Sequence, residues 1–149
     1  MYIEYITLDK KRYPMCFSLH TMKALSSAFG SMDRALKVLK KGKDITAEKL
    51  DVIAKTAAAM IETGCEYMNF YGKSTYEGAP VDENGRFIPI SYKELLFLED
   101  IDDINRLTTA VFGCLNKSQT KQIHVKPKEN QKKRRSPAMQ RPTSKQKRG

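Results

Sequence analysis

The stretch from Ala47 to Tyr71 constrains this chain most. Leu50, Ile53, Ala54, Ala57, Ile61, Met68 and Tyr71 recur there at helical spacing, and Thr46 stands where an N-cap is needed. A helix of about 25 residues carrying one apolar stripe cannot stand alone in water, so the remaining elements must be arranged along it. Ala57, Ala58 and Ala59 add strong helix propensity and let another helix approach closely. Gly64 costs roughly 1 kcal/mol against Ala inside a helix, which marks a bend or a close contact.

The segments before it supply covering elements. Residues 2–18, YIEYITLDKKRYPMCFS, read as two short β-type runs around a polar turn at Asp9–Arg12. Tyr13, Met15 and Phe17 alternate with Pro14, Cys16 and Ser18, the period of a strand with one covered face. Pro14 has no N–H for a ladder, so its strand is expected at an edge or to begin there. Ser18 can cap a helix carrying Leu19, Met22, Leu25 and Phe29, which Gly30 ends. Ser31 can cap a second, with Met32, Ala35, Leu36 and Leu39 on one face, Asp33 in its first turn and Lys37, Lys40 and Lys41 near its end.

From Gly72 to Pro89 the periodicity lapses. Asn84–Gly85 is a type I′ turn signal, which suggests a small surface hairpin or ordered loop. Ser91 and Glu94 have capping-box spacing ahead of Leu95, Leu96 and Leu98. Ile101, Ile104, Leu107, Val111, Phe112 and Leu115 then define a last amphipathic helix. The expected fold is mainly α: an N-terminal β-hairpin packed on a small helical domain, followed by a disordered basic C-terminal tail.

Charge divides the chain at the same place as periodicity. Residues 1–116 hold 15 Lys/Arg and 16 Asp/Glu, a net −1, while residues 117–149 hold 12 Lys/Arg and only Glu129, a net +11. The formal net charge of +10 therefore belongs to a tail, with Lys132–Arg135 as its densest run, and not to the body. Residues 1–116 are expected to form one domain, and 117–149 carry too little apolar surface to offset the entropy of ordering. Cys16, Cys65 and Cys114 are odd in number and far apart, and with His20 and His124 they make neither a disulfide framework nor a Zn signature; they read as small core residues. No apolar run approaches ~18 residues, and the N-terminus lacks the basic-then-apolar order of a signal peptide, so a soluble, intracellular protein is expected.

Candidate chemistry is sparse. There is no Gly-rich phosphate loop, no H-E-x-x-H and no G-x-S-x-G. Cys16 and His20 invite a nucleophile–base reading, but one lies in a strand pattern and the other opens a helix, so a structural role is expected for both. Glu99, Asp100, Asp102 and Asp103 lack the order and the Gly turn of a Ca²⁺ loop, and their place before a helix suits capping. Tyr67, Phe70 and Tyr71 are flanked by Glu62, Glu66 and Lys73, charges mostly of the wrong sign for stacking nucleobases. They are expected to pack at a helix end or to meet a partner. No catalytic, cofactor-binding or metal-binding residue is assigned, no cofactor is expected, and the partner-binding residues are left unassigned. The basic tail can attract nucleic acid weakly through phosphate contacts that carry no sequence preference.

Two stretches carry a family resemblance. YPMCFSLHTMKALSSAFGSMDRALKVL, residues 13–39, resembles the opening of tail assembly chaperones from long, non-contractile-tailed phages and prophages of Gram-positive bacteria, where a hairpin leads into helices through an FGS-like joint. AAMIETGCEYMN (58–69) with ISYKELLFLEDIDDINRLTTAVFGCL (90–115) resembles that family's second half, a long helix before an acidic loop and final helices. The resemblance spans residues 2–116 and rests on arrangement and short similar stretches; the long basic tail departs from the family's pattern. It implies a chaperone without catalysis that binds the tape measure protein, keeps it soluble and helps recruit tail tube protein subunits. It further implies a host-cytoplasmic protein absent from the mature virion and a longer form made by frameshifting; self-association is left open by the sequence. The alternative reading is a small nucleic-acid-binding accessory protein acting through the basic tail, and neither reading involves a membrane.

Overall fold

The computed structural model describes residues 2–125, with side chains through residue 117. The elements run β1 (Glu4–Leu8), β2 (Lys11–Met15), α1 (Leu19–Phe29), α2 (Met32–Lys40), α3 (Ala47–Phe70), α4 (Tyr92–Leu95) and α5 (Ile101–Val125). The chain is mainly helical with an N-terminal two-stranded antiparallel hairpin, and the first compact unit spans Met1–Leu115. The expectation of disorder after residue 117 falls largely on 126–149, outside the described residues. The backbone of α5 continues through Lys117 to Val125, beyond the boundary drawn from apolar periodicity. Lys and Gln are good helix formers that extend an existing helix without an apolar stripe, so periodicity alone ended this one early.

The hairpin turns more tightly than its polar residues suggest. Asp9 and Lys10 alone form the turn, both at positive φ (49° and 69°), while Lys11 and Arg12 already belong to β2. Positive φ at both central positions gives the twist that matches paired strands. Leu8 pairs with Lys11, Ile6 with Tyr13 and Glu4 with Met15. Closure by a two-residue turn makes these the hydrogen-bonded pairs. Pro14, opposite Tyr5, thus falls at a position whose N–H would point away from β1, and its missing donor costs the ladder nothing.

The outward edge of β2 is covered along its length. Arg12 N–H donates to the Gly78 carbonyl at 2.7 Å, and Cys16 N–H to the Met60 carbonyl of α3 at 3.0 Å. Between them the Pro14 carbonyl presses on α3 at Gly64. Sequence alternation suggested one covered face for this strand. Instead Tyr13, Pro14, Met15 and Cys16 are all buried, because α3 closes the edge as well as the core.

Helix α3 is the centre of the core. Val52, Ile53, Ala57, Met60, Ile61, Cys65 and Met68 are buried on it, a wider band than the expected stripe, because the hairpin, α1, α2 and α4 all pack against it. Burying each large aliphatic side chain stabilises the fold by about 1.5–3 kcal/mol. Two members of the expected stripe lie outside the band: Leu50 is 40% exposed and Tyr71 60%. Thr46 caps α3 at Lys49 N–H, and buried Lys49 donates through Nζ to the Gly42 carbonyl at 2.8 Å, tying the α2–α3 link to the helix.

The shorter helices start where the sequence says. Ser18, Ser31 and Ser91 accept from His20, Arg34 and Glu94 N–H, and Gly30 ends α1 at φ 93°. Ser91 and Glu94 close a reciprocal capping box. In α1 the buried residues are Thr21 and Leu25, and Leu19 is exposed. Leu19 stands about 160° round the helix from Thr21, on the side away from α3. The acidic run serves α5: Asp100 Oδ1 accepts from Asp102 N–H at 2.9 Å, and Asp102 and Asp103 occupy the positive end of the helix dipole. Ile101, expected on the apolar face, is exposed in that first turn.

The 72–90 segment is ordered by side chains. Asp82 Oδ1 accepts from Asn84 and Arg86 N–H, the Asp82 carbonyl accepts from Gly85 N–H, and Val81 bridges Phe87. Gly85 lies at φ 78° while Asn84 stays at negative φ, so this small hairpin closes with a type I turn and a following glycine, not the expected type I′ turn. A third residue in the loop relieves Asn84 of the left-handed conformation.

Candidate functional site: a groove along helix α3

One flank of α3 lies open between α1 and the 86–92 segment. Two hollows, about 610 and 380 Å³, sit along it and share His20 as a wall. Ala24, Ala58 and Ala59 give the second hollow a floor of small side chains, so a bulky group can approach the backbone there.

Three aromatic rings form the first end. Tyr67 and Tyr71 stack tilted at 4.7 Å between centroids, and Phe70 meets Tyr71 edge-on at 4.9 Å. Tyr67 is half-buried, whereas Phe70 is 80% exposed and Tyr71 60%. The opposite rim is held by Asn69, whose amide donates to the Phe87 carbonyl at 3.0 Å and accepts from Phe87 N–H at 2.8 Å. That pair of bonds fixes buried Phe87 and with it Arg86, which lines the same hollow.

The far end is a polar network. Tyr92 Oη donates to Asp51 at 2.5 Å, and Asp51 also holds Lys55 at 3.4 Å. The Lys55 ammonium lies 5.3 Å from the Phe29 ring and 5.4 Å from the Tyr92 ring. The hydrogen bond to Asp51 holds the Tyr92 phenol above its usual pKa. Midway, His20 and Glu62 meet at 2.5 Å across the α1–α3 boundary. The groove thus has an apolar floor, an exposed aromatic end and charges of both signs on its walls. It suits an amphipathic segment better than a small polar substrate.

Cys16 is fully buried with its amide on the Met60 carbonyl, while His20 is half-exposed and faces Glu62. Burial pushes the Cys16 thiol up to about 11 and those of Cys65 and Cys114 to about 12. At neutral pH these are protonated, poor nucleophiles. The acidic run caps α5, with Asp103 accepting from Arg106. The aromatic run Tyr67–Tyr71 does end its helix, as expected, and presents two rings to solvent. The basic run Lys132–Arg135 lies outside the described residues. The groove's second rim, Arg86 and Pro89–Tyr92, was missed in the sequence because that segment carries no periodicity; the Asn69 contacts that place it span 18 residues.

No helix among the described residues is long and apolar enough to cross a membrane. Compared with known protein families, curated proteins and solved structures, the chain has no significant match.

Proposed function

We propose that the protein is a phage tail assembly chaperone that binds the tape measure protein along the α3 groove, keeps it soluble and helps recruit tail tube subunits, without catalysis. One observation supports the reading above others: Phe70 and Tyr71 stand 80% and 60% exposed at the end of a groove floored by alanines. Contiguous exposed apolar surface on a soluble domain marks an interaction site. A helix with an apolar face would cover the rings and seat a bulky apolar side chain against Ala58 and Ala59. The stretches 13–39 and 58–69, which resemble that chaperone family, contribute the α1 and α3 walls of the same groove. On this reading the chain acts in the host cytoplasm and is absent from the mature virion.

Co-expression with the tape measure protein of the same genome tests it. Soluble yield and co-purification of that client should rise with the wild-type chain, and should fall with Phe70→Ser/Tyr71→Ser, whose own solubility and melting temperature stay unchanged. No rise with the wild type sinks the proposal. Equal rescue by the double variant removes the groove from it. The net +11 of residues 117–149 favours a second reading, phosphate binding through the tail. That reading requires nucleic-acid affinity that is lost on deleting 117–149 and falls steeply with salt.

A further inference from the structure

The two edges of the hairpin are treated differently. The β2 edge is sealed by the Gly78 carbonyl, by Pro14 and by the Met60 carbonyl. On β1, the register turns the backbone groups of Tyr5 and Thr7 outward, since Glu4, Ile6 and Leu8 make the bonds to β2. Among the described residues nothing donates to or accepts from those outward groups of Tyr5 and Thr7. An uncovered strand edge is a template for another strand, and folded proteins ordinarily blunt it.

This edge also has a wall. Residues 4–7 and the flank of α5, through Asp102, Asn105, Arg106 and Thr109, enclose a groove of about 500 Å³. A strand edge beside a helix is the arrangement in which extended peptides add to a sheet, main-chain bonds giving affinity and alternate side chains giving selectivity. Its charge is negative. Arg106, the one cation among the described residues lining it, is already held by Asp103, which leaves Glu4 and Asp102.

We propose that the β1 edge is a second interaction site, which takes an extended segment of a partner protein with basic side chains at alternate positions. Added antiparallel or parallel, such a strand would bond to Tyr5 and Thr7 and turn every second side chain toward Glu4 and Asp102. Its other side chains would lie beside Tyr5, whose ring packs edge-on against Tyr76 at 5.5 Å and under the Arg12 guanidinium at 4.5 Å. That side suits β-branched or aromatic residues. A second copy of this chain is the poorer occupant. Its own β1 would bring another Glu4 into an already negative groove, with no lysine or arginine in the strand Glu4–Leu8 to offset it. This site is separate from the α3 groove and does not rest on the chaperone reading.

The test uses the full chain and a short capped peptide of alternating lysine and valine. Titration should show saturable binding that weakens with salt, with slowed amide exchange at Tyr5 and Thr7. Thr7→Pro deletes an outward N–H without touching the β1–β2 bonds, as Pro14 does on the other strand, and should weaken the peptide about tenfold, the equivalent of one lost hydrogen bond. If Thr7→Pro fails to fold, the same peptide N-methylated at alternate residues, which cannot pair along one edge, supplies the comparison and should bind at least as weakly. No binding to the wild type, or equal binding by the proline variant or the methylated peptide, overturns the proposal. A concentration-dependent dimer that Thr7→Pro abolishes would assign the edge to a second copy and overturn it too.

Discussion

Gly64 of α3 and the Pro14 carbonyl of β2 share one contact: a Cβ built on Gly64 would stand 2.5 Å from the carbonyl carbon and closer still to its oxygen. Both partners are backbone, so neither can rotate away. The glycine in the longest helix is therefore the point at which the hairpin docks.

Gly64→Ala should be destabilising although alanine is the better helix former. The helix gains about 1 kcal/mol from the substitution, but the strand must move off the helix and strain the Cys16–Met60 bond. A net loss of about 2 kcal/mol or more is expected in urea unfolding. A stabilised variant would mean that the strand and helix are further apart than described.

Asn69→Ala should loosen the far rim of the α3 groove. It removes both bonds to the Phe87 backbone and leaves a buried residue's amide and carbonyl without partners. About 2 kcal/mol of stability should be lost, with faster amide exchange at Phe87 and neighbouring residues. Exchange unchanged at Phe87 would show that the rim is held by something else.

The three thiols should be silent to a thiol reagent at about pH 8 and appear together on unfolding. Burial raises the pKa of Cys16 to about 11 and of Cys65 and Cys114 to about 12. An acid whose folded-state pKa is raised favours folding fully below its unfolded value, about 8.5. That contribution is lost as pH climbs toward the folded values. Stability should thus decline from about pH 8.5 upward, and a single Cys65→Ala variant should flatten part of the decline. An alkaline limb identical in that variant would assign it to other groups.

Ser91→Ala should cost about 1 kcal/mol and shift the acid limb. The Ser91 backbone N–H, and then its hydroxyl, hold the Glu94 carboxyl below its usual pKa. A depressed carboxylate favours folding above its unfolded pKa, about 4.3, and loses that contribution as pH falls through the folded value. Glu94 is largely exposed, so the acid effect should be small and salt-sensitive. A melting-temperature profile against pH, run for both proteins, reads it directly.

Local devices were legible before any fold was known. The serine caps at 18, 31 and 91, the threonine cap at 46, the glycine stop at 30, the capping box and the acidic start of α5 all depend on neighbours within four residues. Short-range chemistry of this kind survives any tertiary arrangement. Apolar stripes are a weaker guide. Leu19, Leu50 and Ile101 have the right spacing for a buried face but lie where none of the described elements covers them, because spacing reports a possible face and not what lies opposite. The Asn84–Gly85 signal found the turn but not its type, which depends on how many loop residues separate Val81 from Phe87.

Residue order alone settles the element order, the helix boundaries at their capped ends, the mainly helical class with its hairpin, and the confinement of the net positive charge to residues after 116. Contacts between distant segments are what bury α3 over a band wider than its stripe, make Gly64 a docking point, carry Asn69 across to Phe87 to build a groove, and seal the β2 edge while leaving the β1 edge unbonded among the described residues. The division has one physical cause. Caps, turns and helix periods are settled by atoms a few residues apart, whereas burial, edge coverage and groove walls are set by contacts between segments tens of residues apart, whose spacing no local pattern encodes.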